Sequence, residues 1–96
     1  MKKVYLQYWE ESERGWGIRP DGCSLHKTIE EHKIYIESIY KSREIDIEIP
    51  YEYDRIVGDS FEVMIKEDLY EEVKNSLRLS QYEMNNLLKL EEIIIL

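Results

Sequence analysis

The sequence predicts an α+β fold in which a small, mostly antiparallel sheet packs against two to three helices on one face. Stretches of alternating apolar and polar residues, typical of half-buried strands, occur near the start and in the middle of the chain. Three further stretches begin with a capping pair and continue with apolar residues at helical spacing. The chain has 96 residues, 43% of them hydrophobic, which fits a single domain spanning residues 1–96.

The first quarter of the chain predicts a hairpin. Residues 4–9 alternate and are expected to form a strand. The charged stretch 10–15 is typical of a turn, after which residues 16–19 return as a second strand. Residues 19–22 place Pro, Asp and Gly where a β-turn favours them, and residues 23–25 can form a third short extended piece.

A helix is predicted from Thr28 to about Arg43. Thr28 and Glu31 stand at the spacing of a capping box, in which the hydroxyl accepts from a free backbone N–H and the carboxylate reaches back. Five side chains then fall on one helical face: Ile29, His32, Ile36, Ile39 and Tyr40.

The middle of the chain predicts strands separated by a loop. Residues 44–49 alternate with period two until Pro50, which predicts a short edge strand whose acidic face discourages further pairing. The stretch 51–60 predicts a polar, aromatic loop containing Gly58, and residues 61–65 predict the next strand.

The last third predicts two short helices and a closing strand. Asp68 and Glu71 form a capping pair ahead of the first helix, and Ser80 and Glu83 form another ahead of the second. The apolar stretch 93–96 is expected to close the sheet as its last strand.

The negative charge is concentrated in one segment. The chain has a net charge of −8, and residues 44–72, here called the acidic block, hold eleven acidic residues against Arg55 and Lys66. Tyr51 and Tyr53, aromatic residues of the kind that anchor interfaces, lie among these acids. A dense negative field repels phosphate backbones, so direct binding to nucleic acid is not expected.

Two interpretations of the acidic block remain open. The acids can be a solvated face that keeps a small domain soluble, or a surface that docks on a basic partner. The second interpretation predicts a non-enzymatic inhibitor or regulator whose partner is a basic, nucleic-acid-handling protein. Its expected contact residues are Asp46, Glu48, Glu52, Tyr53 and Asp54.

An alternative site lies in the glycine-rich segment 15–22. Arg14, Trp16 and Arg19 could supply a guanidinium and a stacking indole to a small ligand, such as a signalling nucleotide. The glycine spacing matches neither the dinucleotide-binding nor the phosphate-loop pattern, so a hairpin and a tight turn are the simpler explanation of these glycines.

The sequence supplies no pattern for an enzyme, a metal site or a cofactor. Cys23 and His26 have the spacing of two zinc ligands, but no second ligand pair accompanies them. As a nucleophile and its base, two residues three apart on an extended segment would tend to point to opposite faces. We therefore expect no catalytic residues, no metal and no cofactor.

Composition also indicates the compartment. With the single cysteine Cys23 the chain cannot form an internal disulfide, which fits a reducing environment. The apolar start is interrupted at Gln7 and ends at Glu10, which does not fit a signal peptide, and no stretch approaches the ~20 apolar residues of a membrane span. We expect a cytoplasmic protein with no membrane contact, with dimerisation open through residues 45–49 or the C-terminal strand.

The acidic block, the short length and the single Cys23 together resemble the small acidic phage-encoded proteins that inhibit host defence, including anti-CRISPR proteins. This resemblance implies a stoichiometric inhibitor that binds a host effector and needs no catalysis.

Overall fold

The computed structural model describes residues 1–13, 15, 17–44 and 52–96, with the backbone alone at residues 13, 42–44, 52 and 53. Its elements follow the order β1 (Lys2–Glu13), β2 (Gly17–His26), α1 (Ile29–Glu44), β3 (Glu52–Ile65), α2 (Glu67–Val73), β4 (Ser76–Leu79), α3 (Gln81–Lys89) and β5 (Ile93–Ile95).

The described strands form one five-stranded antiparallel sheet in the order β4-β2-β1-β3-β5. The predicted α+β class is therefore confirmed, with five strands and three helices in the described part of the chain. β1 lies at the centre and pairs with β2 and β3 along almost its whole length.

The sheet has an apolar face that carries the core. Side chains alternate between the two faces along each strand, and one set packs against α2 and α3. The buried members of this core are Val4, Leu6, Cys23, Leu25, Val63, Ile65, Leu69, Val73, Leu79, Met84 and Ile93. The prediction that helices pack on one face of the sheet is therefore confirmed for α2 and α3.

The opposite side of the sheet, here called the polar face, is covered by α1. It buries Gln7, Ser24 and His26 completely, together with the indole of Trp9. The helix itself is only half-buried, because His32 and Tyr35 contact the sheet while Ile34 is 60% exposed. Apolar burial therefore holds α2 and α3 in place, whereas α1 is held largely by polar and aromatic contacts.

The predicted β-turn at residues 19–22 is wrong, because the chain continues as β2 through a β-bulge. Tyr8 pairs with Cys23 and Glu10 with Pro20, so Trp9 alone faces two residues of β2. One of those two is Gly22, whose φ of +75° suits the bulge.

The predicted loop over residues 51–60 is also wrong from Glu52 onward, because β3 begins there, while Tyr51 lies outside the described residues. A wider irregularity interrupts β3, where Leu6 pairs with Phe61 but Tyr8 pairs with Val57. Gly58 lies within it at a φ of +65°. The polar residues that suggested a loop thus belong to a bulged strand.

The predictions for the helix starts fared differently. Ser80 and Glu83 form the predicted capping box in full. Thr28 Oγ1 accepts from the Glu31 N–H over 3.1 Å, as expected for the start of α1. The predicted capping role of Asp68 is wrong, because α2 begins at Glu67 and Asp68 already lies in its first turn. The N-cap residue is Lys66, whose side chain makes no capping hydrogen bond.

Two further boundaries differ from the sequence prediction. The charged stretch 10–13 continues β1 instead of turning, because its residues pair with both neighbouring strands. β4 was not predicted at all, since its four residues carry no alternation strong enough to stand out. The closing strand is confirmed as β5, whereas the predicted edge strand over residues 44–49 lies outside the described residues apart from Glu44, the last residue of α1.

One end of the sheet consists of three strands. Among the described residues, β4 pairs only with residues 23–26 and β5 only with residues 63–65. Beyond them, residues 8–13, 17–22 and 52–57 form a three-stranded extension, here called the arm. The molecule is accordingly elongated, with extents of 42 × 27 × 20 Å.

Candidate functional site

The polar face holds a chain of four hydrogen-bonded side chains. The Trp9 indole donates from Nε1 to Ser24 Oγ over 2.8 Å. Ser24 Oγ lies 2.7 Å from His26 Nε2, and His26 Nδ1 lies 2.7 Å from Ser76 Oγ. An indole N–H can only donate, so every group is satisfied when Ser24 donates to Nε2 and a neutral imidazole donates from Nδ1 to Ser76.

The burial of His26 keeps its imidazole neutral. Desolvation, followed by repulsion from His32, lowers the pKa of His26 to about 4. The two rings stand edge to face with their centroids 4.9 Å apart. A charged imidazole at this position would need hydration that the covered sheet does not provide.

Gln7 connects α1 to the irregular part of β3. Its Nε2 donates to the carbonyl oxygens of Tyr8, Val57 and Gly58 over 3.0 to 3.2 Å. Its Oε1 is therefore the acceptor that faces His32 Nε2 at 2.9 Å. This one buried amide satisfies the carbonyls of the bulge and docks the helix.

This polar network resembles a catalytic arrangement only in its residue types. Ser24 and His26 are both fully buried, so no substrate can reach the hydroxyl without removal of α1. Cys23 lies in the core on the opposite face from His26, and burial raises the pKa of its thiol to about 12. The hydrogen bonds from Ser24 to His26 and from His26 to Ser76 connect β2 with β4 beneath α1.

A carboxylate cluster lies on the arm. Glu11, Asp21 and Asp54 come from three adjacent strands, and one oxygen of each lies within 4.8 Å of the others. Arg78 Nη2 donates to Asp21 Oδ2 over 3.1 Å and to Asp54 Oδ2 over 3.3 Å. Arg19 donates to Glu11 Oε2 from Nε and Nη2 over 3.1 and 2.9 Å.

Arg78 is held from two sides. Its guanidinium lies over the Trp9 ring, 4.4 Å from the ring centroid, and also donates to the Asp21 carbonyl oxygen over 2.8 Å. The indole and the bulge backbone therefore fix the cation that binds the two aspartates.

The carboxylate cluster holds more negative charge than its arginines neutralise. The pKa of Asp54 is raised to about 6, first by burial, then by a hydrogen bond with Asp21 and by repulsion from Asp21 and Glu11. Arg78 opposes this shift but does not cancel it. Near neutral pH the site is therefore a place where additional positive charge is favourable.

A cleft of about 420 Å³ opens beside the cluster, between α1 and the start of α3. Asp21, Asp54 and Arg78 form one side of it, and Tyr35 and Glu83 belong to the other elements that line it. Glu83 is engaged in the capping box, which lowers its pKa and keeps it ionised.

The apolar face of the arm forms a second depression, here called the groove. Its volume is about 380 Å³. The residues that line it are Tyr8, Trp9, Glu10, Ile18, Arg19, Pro20, Gly22, Val57, Gln81 and Met84. Gly22 determines how closely α3 approaches, because its N–H donates to Gln81 Oε1 over 2.8 Å and a Cβ there would lie 2.0 Å from the Leu79 carbonyl oxygen.

Of the five residues expected to contact a partner, the structure describes the side chain of Asp54 alone. Asp54 belongs to the carboxylate cluster instead of standing free on the surface. Glu52 and Tyr53 lie in β3, where the backbone alone is described. Asp46 and Glu48 lie outside the described residues.

The alternative ligand-binding residues are only partly placed. Arg19 lines the groove, but its guanidinium is held by Glu11. Arg14 and Trp16 lie outside the described residues.

Sequence reasoning missed the other members of the carboxylate cluster. Glu11, Asp21 and Arg78 are far apart in the chain and share no motif with Asp54. Only the register brings them together, since Glu11 pairs with both Arg19 and Asp54, while Arg78 pairs with Ser24 beside the bulge.

Comparisons with protein-family models, with curated proteins and with solved structures gave no match. None of the helices in the described ranges combines the length and the apolar character needed to cross a lipid bilayer.

Proposed function

We propose that this protein is a non-enzymatic inhibitor or regulator that docks through an acidic surface on a basic protein partner. The observation that carries the proposal is the carboxylate cluster on the arm, where one oxygen each of Glu11, Asp21 and Asp54 lies within 4.8 Å of the others. These three acids outnumber the two arginines that contact them, Arg19 and Arg78, and like charges this close repel one another. A cationic side chain of a partner would relieve this repulsion.

The distribution of charge supports the same proposal. The acidic block carries a net charge of −9 and includes β3, the strand that supplies Asp54. A one-sided field of this kind accelerates encounter with a basic surface and makes binding sensitive to salt. A basic protein that handles nucleic acid offers the complementary charge. Such a partner also fits the resemblance of this chain, in size and charge, to small acidic proteins that act as stoichiometric inhibitors.

Catalysis is the less suitable function for the described side chains. The serine and histidine that form hydrogen-bonded pairs are buried under α1, and the Cys23 thiol stays protonated near neutral pH. Docking by contrast needs only an accessible surface that is already formed.

The test is affinity capture from cells of the source organism, followed by titration of the purified captured protein. We expect a basic protein whose affinity falls steeply with salt. The variant with Asp46, Glu48 and Glu52 all changed to Lys should lose binding, because it reverses three of the negative charges that are expected to contact the basic partner.

A matched variant separates a specific surface from bulk charge. Changing Glu30, Glu37 and Glu91 to Lys alters the net charge equally at exposed positions that lie outside both the arm and the acidic block. This variant should keep most of the affinity. Equal losses of affinity in the two variants would indicate that the acids act only through their bulk charge. Unchanged affinity in the first variant would contradict the proposal.

A second function is favoured by the groove itself, namely binding of a small molecule such as a signalling nucleotide. The groove has a formed volume of about 380 Å³ and adjoins the glycine-rich segment that carries Arg19. The test is a thermal-shift screen with nucleotides on the intact protein and on Arg19→Ala. A shift that disappears in the variant would support this function, and the absence of any shift would reject it.

A further inference from the structure

β5 forms an open edge of the sheet. Among the described residues it pairs with β3 on one side, and no strand lies on its other side. The Lys66 N–H donates to the Glu92 carbonyl oxygen over 3.1 Å, and the same register continues through Ile94. Hydrogen-bonded and non-hydrogen-bonded pairs alternate in an antiparallel ladder, so Ile94 is bonded to β3, whereas the N–H and C=O groups of Ile93 and Ile95 point toward the open edge.

The side chains along this edge are apolar. Ile94 is 40% exposed and Ile95 is 46% exposed, and the adjoining Leu96 is exposed as well. Edge strands are commonly protected from further pairing by charged side chains or by proline. The other edge strand, β4, carries Arg78, whereas residues 93–96 contain neither a charge nor a proline. The edge at β5 is therefore suited to accept another strand.

The edge is complementary to itself. When two copies of β5 pair antiparallel about a two-fold axis at Ile94, Ile93 of each copy stands opposite Ile95 of the other. Each of these pairs exchanges two hydrogen bonds, which satisfies the outward N–H and C=O groups of both copies. The two Ile94 side chains then meet as a non-hydrogen-bonded pair, the arrangement in which side chains approach most closely.

The charge distribution favours this position for contact between copies. Each copy has a net charge of −8, so two copies repel one another where their acidic surfaces approach. Residues 93–96 are uncharged. They pair with residues 63–65, at the opposite end of β3 from the arm segment 52–57. Pairing at β5 thus brings uncharged segments together and keeps the two carboxylate clusters apart.

We propose that β5 is a dimerisation edge to which a second copy of this chain adds its own β5, joining the two sheets into one continuous antiparallel sheet. This inference does not depend on the proposed function, because the arm of each copy stays accessible. An edge of three residues buries less than the ~800 Å² per partner that is typical of stable complexes, so the dimer is reversible. We expect a dissociation constant of about 10–100 μM.

Sedimentation equilibrium of the unmodified protein at increasing concentration tests for this dimer. Association should strengthen as salt rises, because salt screens the repulsion between the acidic copies and leaves the apolar contacts intact. Docking on a basic partner has the opposite salt dependence, so the two proposals fail separately. A protein that remains monomeric at about tenfold above the expected dissociation constant would overturn the inference.

Charge variants at Ile94 test the two-fold register. Ile94→Lys and Ile94→Glu each replace the apolar pair at the axis by two like charges, which should weaken the dimer at least about tenfold. An equimolar mixture of these two variants should associate again, because opposite charges then face each other. Ile34→Lys makes the same change at a 60% exposed position on α1 and should leave the dissociation constant unchanged. A mixture that fails to associate would overturn the two-fold register.

Variants at Ile95 test the backbone pairing. Ile95→Pro removes an N–H that points away from β3, whereas Ile95→Ala shortens the side chain and keeps that N–H. The proline variant should remain monomeric at concentrations at which the alanine variant dimerises. Circular dichroism and thermal unfolding verify that the variants are folded. Equal dissociation constants for these two variants, or a dimer that Ile94→Lys does not weaken, would overturn β5 as the interface.

Discussion

Gly22 is the position at which a single methyl group should do the greatest local damage. Its φ of +75° already disfavours any L-residue, which costs about 1–2 kcal/mol for alanine. A Cβ there would also lie 2.0 Å from the Leu79 carbonyl oxygen and 2.7 Å from the Ser80 carbonyl carbon. Both atoms belong to the backbone, so the junction between β4 and α3 would have to move.

The magnitude follows from what that movement breaks. The hydrogen bond from the Gly22 N–H to Gln81 contributes about 1 kcal/mol, and the capping box at Ser80 contributes about another 1 kcal/mol. Together with the backbone strain, Gly22→Ala should lower the free energy of unfolding by about 3 kcal/mol or more. That is a large part of the ~5–15 kcal/mol by which small domains are stable.

Gly58→Ala is the matched control. Gly58 also lies in a bulge at a φ of +65°, but a Cβ there would meet nothing within 4 Å. Its cost should be the strain alone, about 1 kcal/mol once the lower entropy of the unfolded alanine chain is counted.

The assay is urea denaturation of both variants beside the unmodified protein. A difference of about 2 kcal/mol between the variants corresponds to about 8–16 °C in Tm for a domain of this size. Equal losses of stability in the two variants would refute the reasoning, because they would show that the close approach of α3 carries no energetic weight.

Three further predictions concern the polar face and the carboxylate cluster. Folding lowers the pKa of His26 from its ordinary value of 6.5 to about 4, so the unfolded chain binds the proton more readily. The free energy of unfolding should therefore fall by about 3 kcal/mol as the pH drops from 6.5 to 4. In urea denaturation, the stability of His26→Gln should depend less on pH over this range. Folding raises the pKa of Asp54 from 3.8 to about 6, so the free energy of unfolding should fall as the pH rises from about 4 to about 6 and the carboxyl group ionises. Asp54→Asn should therefore raise Tm more at pH 7.5 than at pH 4.5. Gln7→Leu removes the donor for the Val57 and Gly58 carbonyls and should cost about 2–3 kcal/mol, with faster hydrogen exchange in α1 as the diagnostic.

The parts of the fold that the sequence predicts correctly are those with local signals. The alternation at Val63 and Ile65 marks a strand because each second side chain enters the core. Ser80 and Glu83 mark the start of α3 because both hydrogen bonds of the capping box form within one turn of chain. Signals of this kind need no knowledge of what lies across the sheet.

The bulge at Gly22 shows why other parts are not predictable. Proline, aspartate and glycine suit a turn as well as they suit a bulge, and the local sequence does not distinguish the two. The choice is made by β1 on one side, where Trp9 faces two residues, and by α3 on the other, where Gln81 accepts from Gly22. Trp9 lies on the neighbouring strand, and Gln81 lies 59 residues away from Gly22 in the sequence.

The candidate site is hidden from the sequence for the same reason. The acidic block drew attention to Asp54 as an exposed contact, but Glu11 and Asp21 approach it from strands that precede the block. Arg78 comes from β4, which itself was not predicted. A charge count along the chain locates excess charge but cannot locate the cations that meet it.

The polar face explains why a domain with a sufficient apolar core also buries Gln7, Ser24 and His26. A slip of one residue in strand pairing would turn these side chains toward α2 and α3, where nothing can satisfy them. Apolar contacts tolerate such errors better than hydrogen bonds do, so the chain from Trp9 to Ser76 fixes the register of β1, β2 and β4.

That register in turn creates the two candidate surfaces, the carboxylate cluster and the groove. Once β1 pairs in this position, residues 8–13, 17–22 and 52–57 extend beyond the strands and helices that cover the rest of the sheet. One side of the extension gathers carboxylates from three strands, and the other leaves Ile18 and Val57 exposed beside α3. The buried polar chain and the exposed arm are therefore linked, since a change that releases the register would disperse the carboxylate cluster and the groove together.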